Sequence, residues 1–285
     1  MKKLLFLFDT DAMPSVFDTV VGYDGGADRV AGYANVTPDN VGALVDGTIY
    51  TRGGKDKQNT AIFVGGGDMG KGEAVFEAVQ KRFFGPFRVS VMLDSNGSNT
   101  TAAAGVALLA KAKKLKGKKA VVLAGTGPVG MRAAAFLADE GADVTITSRT
   151  KDRAETAAKA IEKRFGHKVK GVAGGTDAER TEAVKDANIV FAAGAIGVQL
   201  LPESAWKDNP NIELLADVNA QPPLGIEGTE ATDKGKERNG KIVFGALGIG
   251  GLKLKLHRGC IKQLFESPDG VFDAEQIYKL AKDMA

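Results

Sequence analysis

The chain has 285 residues, 44% of them hydrophobic and 26% charged, and a net charge of +3. That length suits two domains, each with its own core, and so small and dispersed a positive charge excludes nucleic acid as the expected partner. The single cysteine, Cys260, rules out an internal disulfide and a thiolate metal site and points to a reducing cytoplasm.

The first element is read at "LLFLFD", an apolar run of five residues closed by Asp9. It is too short for a secretion signal and reads as a β-strand. Strands follow at "AIFVGG" and "RVSVML", with helices at "PSVFDTVV", "TPDNVGALVDG" and "GEAVFEAVQKRFF". In the second helix Thr37 is expected to cap and Pro38 to open the first turn. From about Asn99 a small-residue helix, "TTAAAGVALLAKAKKL", runs to Gly117. The basic stretch Lys111 to Lys119 is expected to be a solvated helix end and linker.

A second α/β series begins with strand "KAVVLAG" and helix "PVGMRAAAFLADEG". Strand "DVTITS" leads to helix "KDRAETAAKAIEKRF", and "KVKGVAG" to "DAERTEAVKDA"; "IVFAAG", "IELLAD" and "KIVFGA" are later strands. After "GIGG" a helix "LKLKLHRGCIKQLFE" is expected, and then a last amphipathic helix, "DAEQIYKLAKDM". Glycines 248, 250 and 251 are candidate hinge points. No apolar run approaches the ~20 residues that cross a bilayer. This alternation is the pattern of parallel α/β sheets. It predicts a substrate domain over residues 1–100, a Rossmann-type doubly wound domain over 101–251, and C-terminal helices over 252–285 that pack back on the first domain.

Gly125-Thr126-Gly127-Pro128-Val129-Gly130 is a GxGxxG that ends an apolar strand and opens a helix, the context a dinucleotide fingerprint requires. Gly125 permits the turn, Gly127 lets backbone approach a pyrophosphate, and Gly130 allows close helix–strand packing. The helix N-terminus offers N–H groups and partial positive charge to that anion. At the end of the next strand an NAD-binding protein would place a carboxylate on the ribose hydroxyls. Here Ser148, Arg149, Thr150 and Lys151 stand instead, with Arg153 shortly after. A guanidinium grips a ribose phosphate bidentately, so the expected cofactor is NADP. A rival loop, "GGGDMGKG" (Gly65 to Gly72), nearly matches a P-loop. It lacks the magnesium-binding hydroxyl at position 72 and carries Asp68 inside the would-be cradle, so it reads as a tight turn.

With two histidines and one cysteine, no metal-ligand spacing and no Ser-His-Asp arrangement is visible. His167 reads as a surface residue. Lys253 and His257 lie four apart and so share one face of a helix, near the expected interdomain cleft.

Several segments carry a resemblance: "FDTDAMPSVFDTVVGYDGGAD", "GYANVTPDNVGALVDGTIYTRGG", "FFGPFRVSVMLDSNGSNTTAAAG", "NAQPPLGIEG" and "GALGIGGLKLKLHRGC". The chain resembles the NADP-dependent methylene-tetrahydromethanopterin dehydrogenases of methylotrophic bacteria from end to end. The resemblance implies a pterin-binding domain beside the Rossmann domain and a homotrimer. It also implies oxidation of methylene-tetrahydromethanopterin, and of methylene-tetrahydrofolate, to the methenyl form. The family's active-site positions fall on Phe17, Thr101, Lys253 and His257. Phe17 would pack on the pterin or its aryl group, Thr101 would bring a hydroxyl near the reacting ring, and Lys253 would orient the substrate's polar edge. His257 would hold Lys253 or the substrate. Alternatives are a shikimate-type 2-hydroxy acid dehydrogenase, which needs a lysine–aspartate pair such as Lys55 and Asp94, and an NADPH-sensing regulator without catalysis.

Overall fold

Short runs of Leu, Ile, Val and Phe alternate with helices along the whole chain, and in the computed structural model, which describes residues 1–285, they form two parallel sheets. In chain order the elements are β1 (Leu4–Asp9), α1 (Val16–Asp24), β2 (Arg29–Tyr33), α2 (Val41–Tyr50), β3 (Thr60–Gly65), α3 (Met69–Arg82), β4 (Ser90–Leu93) and α4 (Ser98–Ala112). Then come β5 (Lys119–Leu123), α5 (Pro128–Asp139), β6 (Asp143–Ser148), α6 (Lys151–Phe165), β7 (Lys170–Ala173), α7 (Asp177–Val184), β8 (Ile189–Ala192) and β9 (Leu214–Asp217). The last are β10 (Lys234–Arg238), β11 (Lys241–Phe244), α8 (Ala246–Leu264), β12 (Val271–Phe272) and α9 (Ala274–Met284). Two compact units result, one of Met1–Thr100 with Leu254–Leu280, the other of Thr101–Lys253 with Ala281–Ala285.

The first unit holds a five-stranded sheet in the order β12-β4-β3-β1-β2, parallel throughout. Every residue of β3 and β4 is buried, which is what strands covered on both faces require. Phe8, Ile62, Val64 and Val91 pack with Val45 and Ile49 of α2 and with Val75 and Val79 of α3. Chain order reverses between β1 and β3. In an open α/β sheet, ligands bind at such a switch point, beyond the carboxyl ends of the strands.

The second unit holds seven strands in the order β10-β11-β9-β8-β5-β6-β7, with only β10 antiparallel to its neighbour. This is the dinucleotide-binding order with its switch point between β5 and β8. Trp206 anchors one side of the core among Leu201, Ile212, Leu215 and Ile226, and its indole N–H donates to the carbonyl of Glu227 at 2.9 Å.

Several local readings of the sequence shift. β2, β10 and β12 carry no clear strand signal because β2 and β10 are largely exposed edge strands and β12 has only two residues. The charged "KGKER" of β10 suits an edge that must not pair further. Helix α2 starts at Val41 rather than Thr37: residues 37–40 form a turn in which the Asn40 side-chain oxygen accepts the Thr37 N–H at 2.8 Å. The "GIGG" glycines lie inside α8. A Cβ at Gly248 would stand 2.0 Å from the carbonyl oxygen of Asp233, so this glycine permits backbone contact. Nor are the basic residues before β5 simply solvated. Lys113 and Lys118 both bind Glu213, at 2.8 and 2.5 Å, and hold its carboxyl below the usual range.

Gly25, at the end of α1, would place a Cβ 2.5 Å from that of Ile261 in α8. Gly25→Ala is therefore expected to destabilise the protein by about 1–3 kcal/mol through overpacking. A urea-unfolding midpoint unchanged from the parent would contradict that contact.

Candidate active site

In the second unit, β5 runs into α5 through a turn whose geometry depends on missing side chains. A Cβ on Gly130 would lie 2.7 Å from the Cα of Gly125, and one on Gly125 would lie 2.7 Å from the Cβ of Ile146 in β6. The helix therefore sits hard against the turn, and the turn against the neighbouring strand. The Gly125 N–H donates to the Thr147 carbonyl at 2.9 Å, and the Ala124 N–H to the Thr147 hydroxyl at 3.1 Å. Ala124 itself has a φ of 52°, a left-handed conformation disfavoured for alanine that the sequence pattern does not announce.

Gly127 occupies the N-cap of α5 in extended conformation, with no side-chain cap and with open space where its Cβ would be. Thr126, Pro128 and Val129 are half-buried around it. Uncapped helix N–H groups facing open space at a switch point form a seat for a diphosphate, so the turn fits the cofactor expected from the sequence.

At the end of β6, Ser148 is buried while Arg149, Thr150, Lys151 and Arg153 are exposed. The roles divide more finely than the sequence implied. The Thr150 hydroxyl caps α6 by accepting the Arg153 N–H at 3.5 Å, and Lys151 pairs with Glu155 at 3.5 Å. Arg149 and Arg153 have no carboxylate partner, and no carboxylate takes the place of Arg149 at the strand end. The Arg149 carbonyl is backed by Gly175, where a Cβ would approach it to 2.7 Å. This edge suits a ribose phosphate.

Asp217, at the carboxyl end of β9, was not singled out in the sequence. Its buried carboxylate accepts the N–H groups of Asn219 and Ile226 at 3.0 and 2.9 Å and so organises the loop that follows. Burial pushes its pKa up, against the lowering effect of those bonds.

In the first unit the carboxyl edge of the sheet gathers a different set. His257, 1% exposed, stacks on Phe63 with ring centroids 5.2 Å apart and planes at 22°. Phe17, in the first turn of α1 and 46% exposed, lies 6.2 Å from the same imidazole. Asp94 Oδ2 stands 3.9 Å from His257 Nδ1. The Asp94 carboxylate also accepts the Thr100 N–H at 3.0 Å and the Thr100 hydroxyl at 2.6 Å. Asp94 thus braces the start of α4 and lies within ion-pair reach of His257, a place that only "LDSNGSNTT" hints at. Thr101, half-buried as the fourth residue of α4, is counted in the second unit. Lys253, also half-buried and the last residue of α8 counted in the second unit, precedes His257 by one turn. Burial, and next the charge of Asp94, push the Cys260 thiol far up, so no thiolate nucleophile is on offer.

The rival glycine loop does not hold phosphate. Asp11 Oδ2 takes the Gly67 N–H at 2.8 Å, and Asp68 Oδ1 takes the Lys71 N–H at 3.0 Å as the cap of α3. Carboxylates already fill amides that a P-loop would aim at an anion. His167 is half-buried in a loop, 3.6 Å from Asp139. No group of three or more His, Cys, Asp or Glu side chains is placed to hold a metal ion. No helix is long and apolar enough to cross a membrane.

A doubly wound sheet, a glycine-lined helix N-terminus at its switch point and a cationic strand end define an NAD(P)-binding dehydrogenase of the Rossmann class. Comparison with known proteins narrows this. A family model described as methylene-tetrahydromethanopterin dehydrogenase, N-terminal, matches residues 16–96, and an NAD(P)-binding model matches residues 112–225. The bifunctional protein MdtA of Methylorubrum extorquens is 72% identical over 286 residues, covering 100% of this chain and 99% of the relative. The NAD(P)-dependent methylenetetrahydromethanopterin dehydrogenase of the same organism is 31% identical over 281 residues, covering 95% of each. The chain belongs to the methylene-tetrahydromethanopterin dehydrogenase family. Shikimate 5-dehydrogenase from Listeria monocytogenes, solved with shikimate and NAD, shares the fold with a TM-score of 0.55 at 14% identity, over 98% of this chain and 96% of that one.

Because Gly130 touches backbone that cannot yield, Gly130→Ala is expected to weaken NADPH binding at least about tenfold, or roughly 1.4 kcal/mol. A fluorescence titration giving the parent dissociation constant would contradict the seat assigned to α5.

Proposed function

We propose that the protein catalyses reversible transfer of a hydride from methylene-tetrahydromethanopterin, and from methylene-tetrahydrofolate, to NADP, leaving the methenyl form. The observation that carries the cofactor choice is the end of β6, where the exposed Arg149 stands in place of the expected carboxylate. The substrate class rests on family membership and on full-length likeness to MdtA.

The chemistry suits the residues present. The donor carbon lies between two nitrogens whose lone pairs stabilise the cation left behind, so no proton has to be abstracted. Bound NADP supplies a nicotinamide ring that accepts the hydride. The chain's own task is to bind, orient and keep water out, which accords with only two histidines and a protonated, buried cysteine.

In this reading Gly125, Thr126, Gly127, Pro128, Val129 and Gly130 receive the diphosphate. Ser148, Arg149 and Thr150 receive the ribose phosphate, with Arg153 and Lys151 as adjoining cations. Phe17 packs on the pterin ring system, and Lys253 bonds to its polar edge, away from the carbon that becomes cationic, where an ammonium would be repelled. Thr101 supplies a hydroxyl, and His257, stacked on Phe63 and within ion-pair reach of Asp94, holds Lys253 or the substrate in place. A homotrimer belongs to the same proposal and rests on the resemblance, and a cytoplasmic location rests on the single cysteine.

A shikimate-type reaction is disfavoured by the sheet itself. Lys55 precedes the amino end of β3, whereas Asp94 follows the carboxyl end of the parallel neighbour β4. The acid–base pair that such a reaction needs is therefore split between opposite edges of the first unit's sheet.

Steady-state assays with both methylene-tetrahydropterins and with NADP or NAD test the proposal, which a lack of NADPH formation would remove. One or two charge-assisted hydrogen bonds of about 1.5–3 kcal/mol each are at stake at the ribose phosphate. Arg149→Ala is accordingly expected to raise KM for NADP at least about tenfold while leaving KM for NAD nearly unchanged; equal effects would contradict the phosphate role.

A further inference from the structure

The carboxyl edge of the first sheet holds a carboxylate that none of these roles uses. Asp9, at the end of β1 and 1% exposed, accepts the Asp11 N–H through one oxygen and the Ser15 N–H through the other, both at 2.9 Å. Ser15 in turn caps α1 through its hydroxyl, and Phe17 projects from the first turn of that helix. One buried carboxylate therefore fixes both the segment carrying Asp11 and the helix end carrying an exposed phenyl ring.

The Asp11 side chain is itself oriented. Its Oδ2 accepts the Gly67 N–H at 2.8 Å across the switch point between β1 and β3, while its Oδ1 meets no donor of the chain. An ionised carboxylate offers about four lone-pair sites, so one backbone donor leaves most of its accepting capacity open. Neighbouring Asp68 differs, because its Oδ1 caps α3. What remains is an exposed, preoriented acceptor on the same β1-to-α1 connection that carries the exposed ring of Phe17, where the adjacent amides are already filled. Such a site repels phosphate and attracts a flat heterocycle with N–H donors along one edge.

A tetrahydropterin has that edge, since its 2-amino group and N3–H lie side by side. We propose that Asp11 is a binding residue that accepts the 2-amino and N3–H donors of the substrate's pterin ring, setting recognition of the ring class and not of the tail. This rests on the function proposed above and deepens it. Charge-assisted pairs of this geometry are among the stronger polar contacts, and a site built around them discriminates against analogues that lack the donor.

Asp11→Asn is the informative variant. The asparagine oxygen keeps the Gly67 N–H contact while its NH2 replaces the open oxygen and meets the pterin's donors with donors. The expected result is a KM for methylene-tetrahydrofolate raised at least about tenfold, with NADPH affinity unchanged. With the 2-desamino-2-methyl analogue, which lacks the amino donor, most of the difference between variant and parent should disappear. Asp11→Ser, which also removes the charge, serves as a second variant with the same expectation if the first does not fold. A parental KM in the folded variant, or an equal penalty on substrate and analogue, overturns the assignment. Should the parent protein turn over neither methylene-tetrahydropterin, the proposed reaction fails separately. Equilibrium dialysis of tetrahydrofolate against parent and variant then decides the Asp11 role: tenfold weaker binding upholds it and equal binding overturns it.

Discussion

Helix α5 begins where it does because two glycines let backbone lie on backbone. With Gly130 so close to Gly125 that a methyl group would stand 2.7 Å from its Cα, the helix axis is driven at the switch point of the sheet. The N–H groups of its first turn then have no side-chain cap, and the space a Gly127 side chain would fill is open. Much of the second unit serves that contact. Ile146 supports Gly125 from the next strand, Thr147 bonds both Ala124 and Gly125, and Ala124 is held in a left-handed conformation that no cap or glycine explains. The residue type that best suits an anion there is one with no side chain at all.

The first unit meets the same architectural problem with the opposite electrostatics. Its sheet is also parallel with a switch point, and its strands also end in strand-to-helix turns. Here the turns are tied by carboxylates: Asp9 on Asp11 and Ser15, Asp11 on Gly67, Asp68 on Lys71, and Asp94 on Thr100. Each takes a backbone donor that would otherwise attract an anion. One unit therefore exposes N–H groups and cations at its switch point, while the other exposes carboxylate acceptors and aromatic faces. The division follows from how each unit satisfies its turn amides.

What could be read from the sequence was whatever is local. The glycine turn, the missing acid after β6 and the alternation of strands and helices each sit within a few consecutive residues. The imidazole bracket was out of reach, because Phe63, Asp94 and His257 come from three separate segments that only the parallel sheet and α8 bring together. Edge strands escaped for the reverse reason: β2 and β10 lie in solvent and need no apolar pattern. In "GIGG" the pattern does not show that Gly248 serves crowding, since its close neighbour, the Asp233 carbonyl, comes from a distant segment. Thr150 and Lys151, which the sequence presents as phosphate ligands, both have structural partners in α6.

The central chemical claim is that the chain positions two rings and takes no proton, with His257 enclosed against Phe63 and Asp94 and Cys260 kept as a thiol. Isotope tracing tests this most directly. Substrate deuterated at its methylene carbon should yield NADPH labelled at nicotinamide C4, and ordinary substrate turned over in heavy water should yield NADPH with no deuterium there. Solvent deuterium at that carbon would contradict the account.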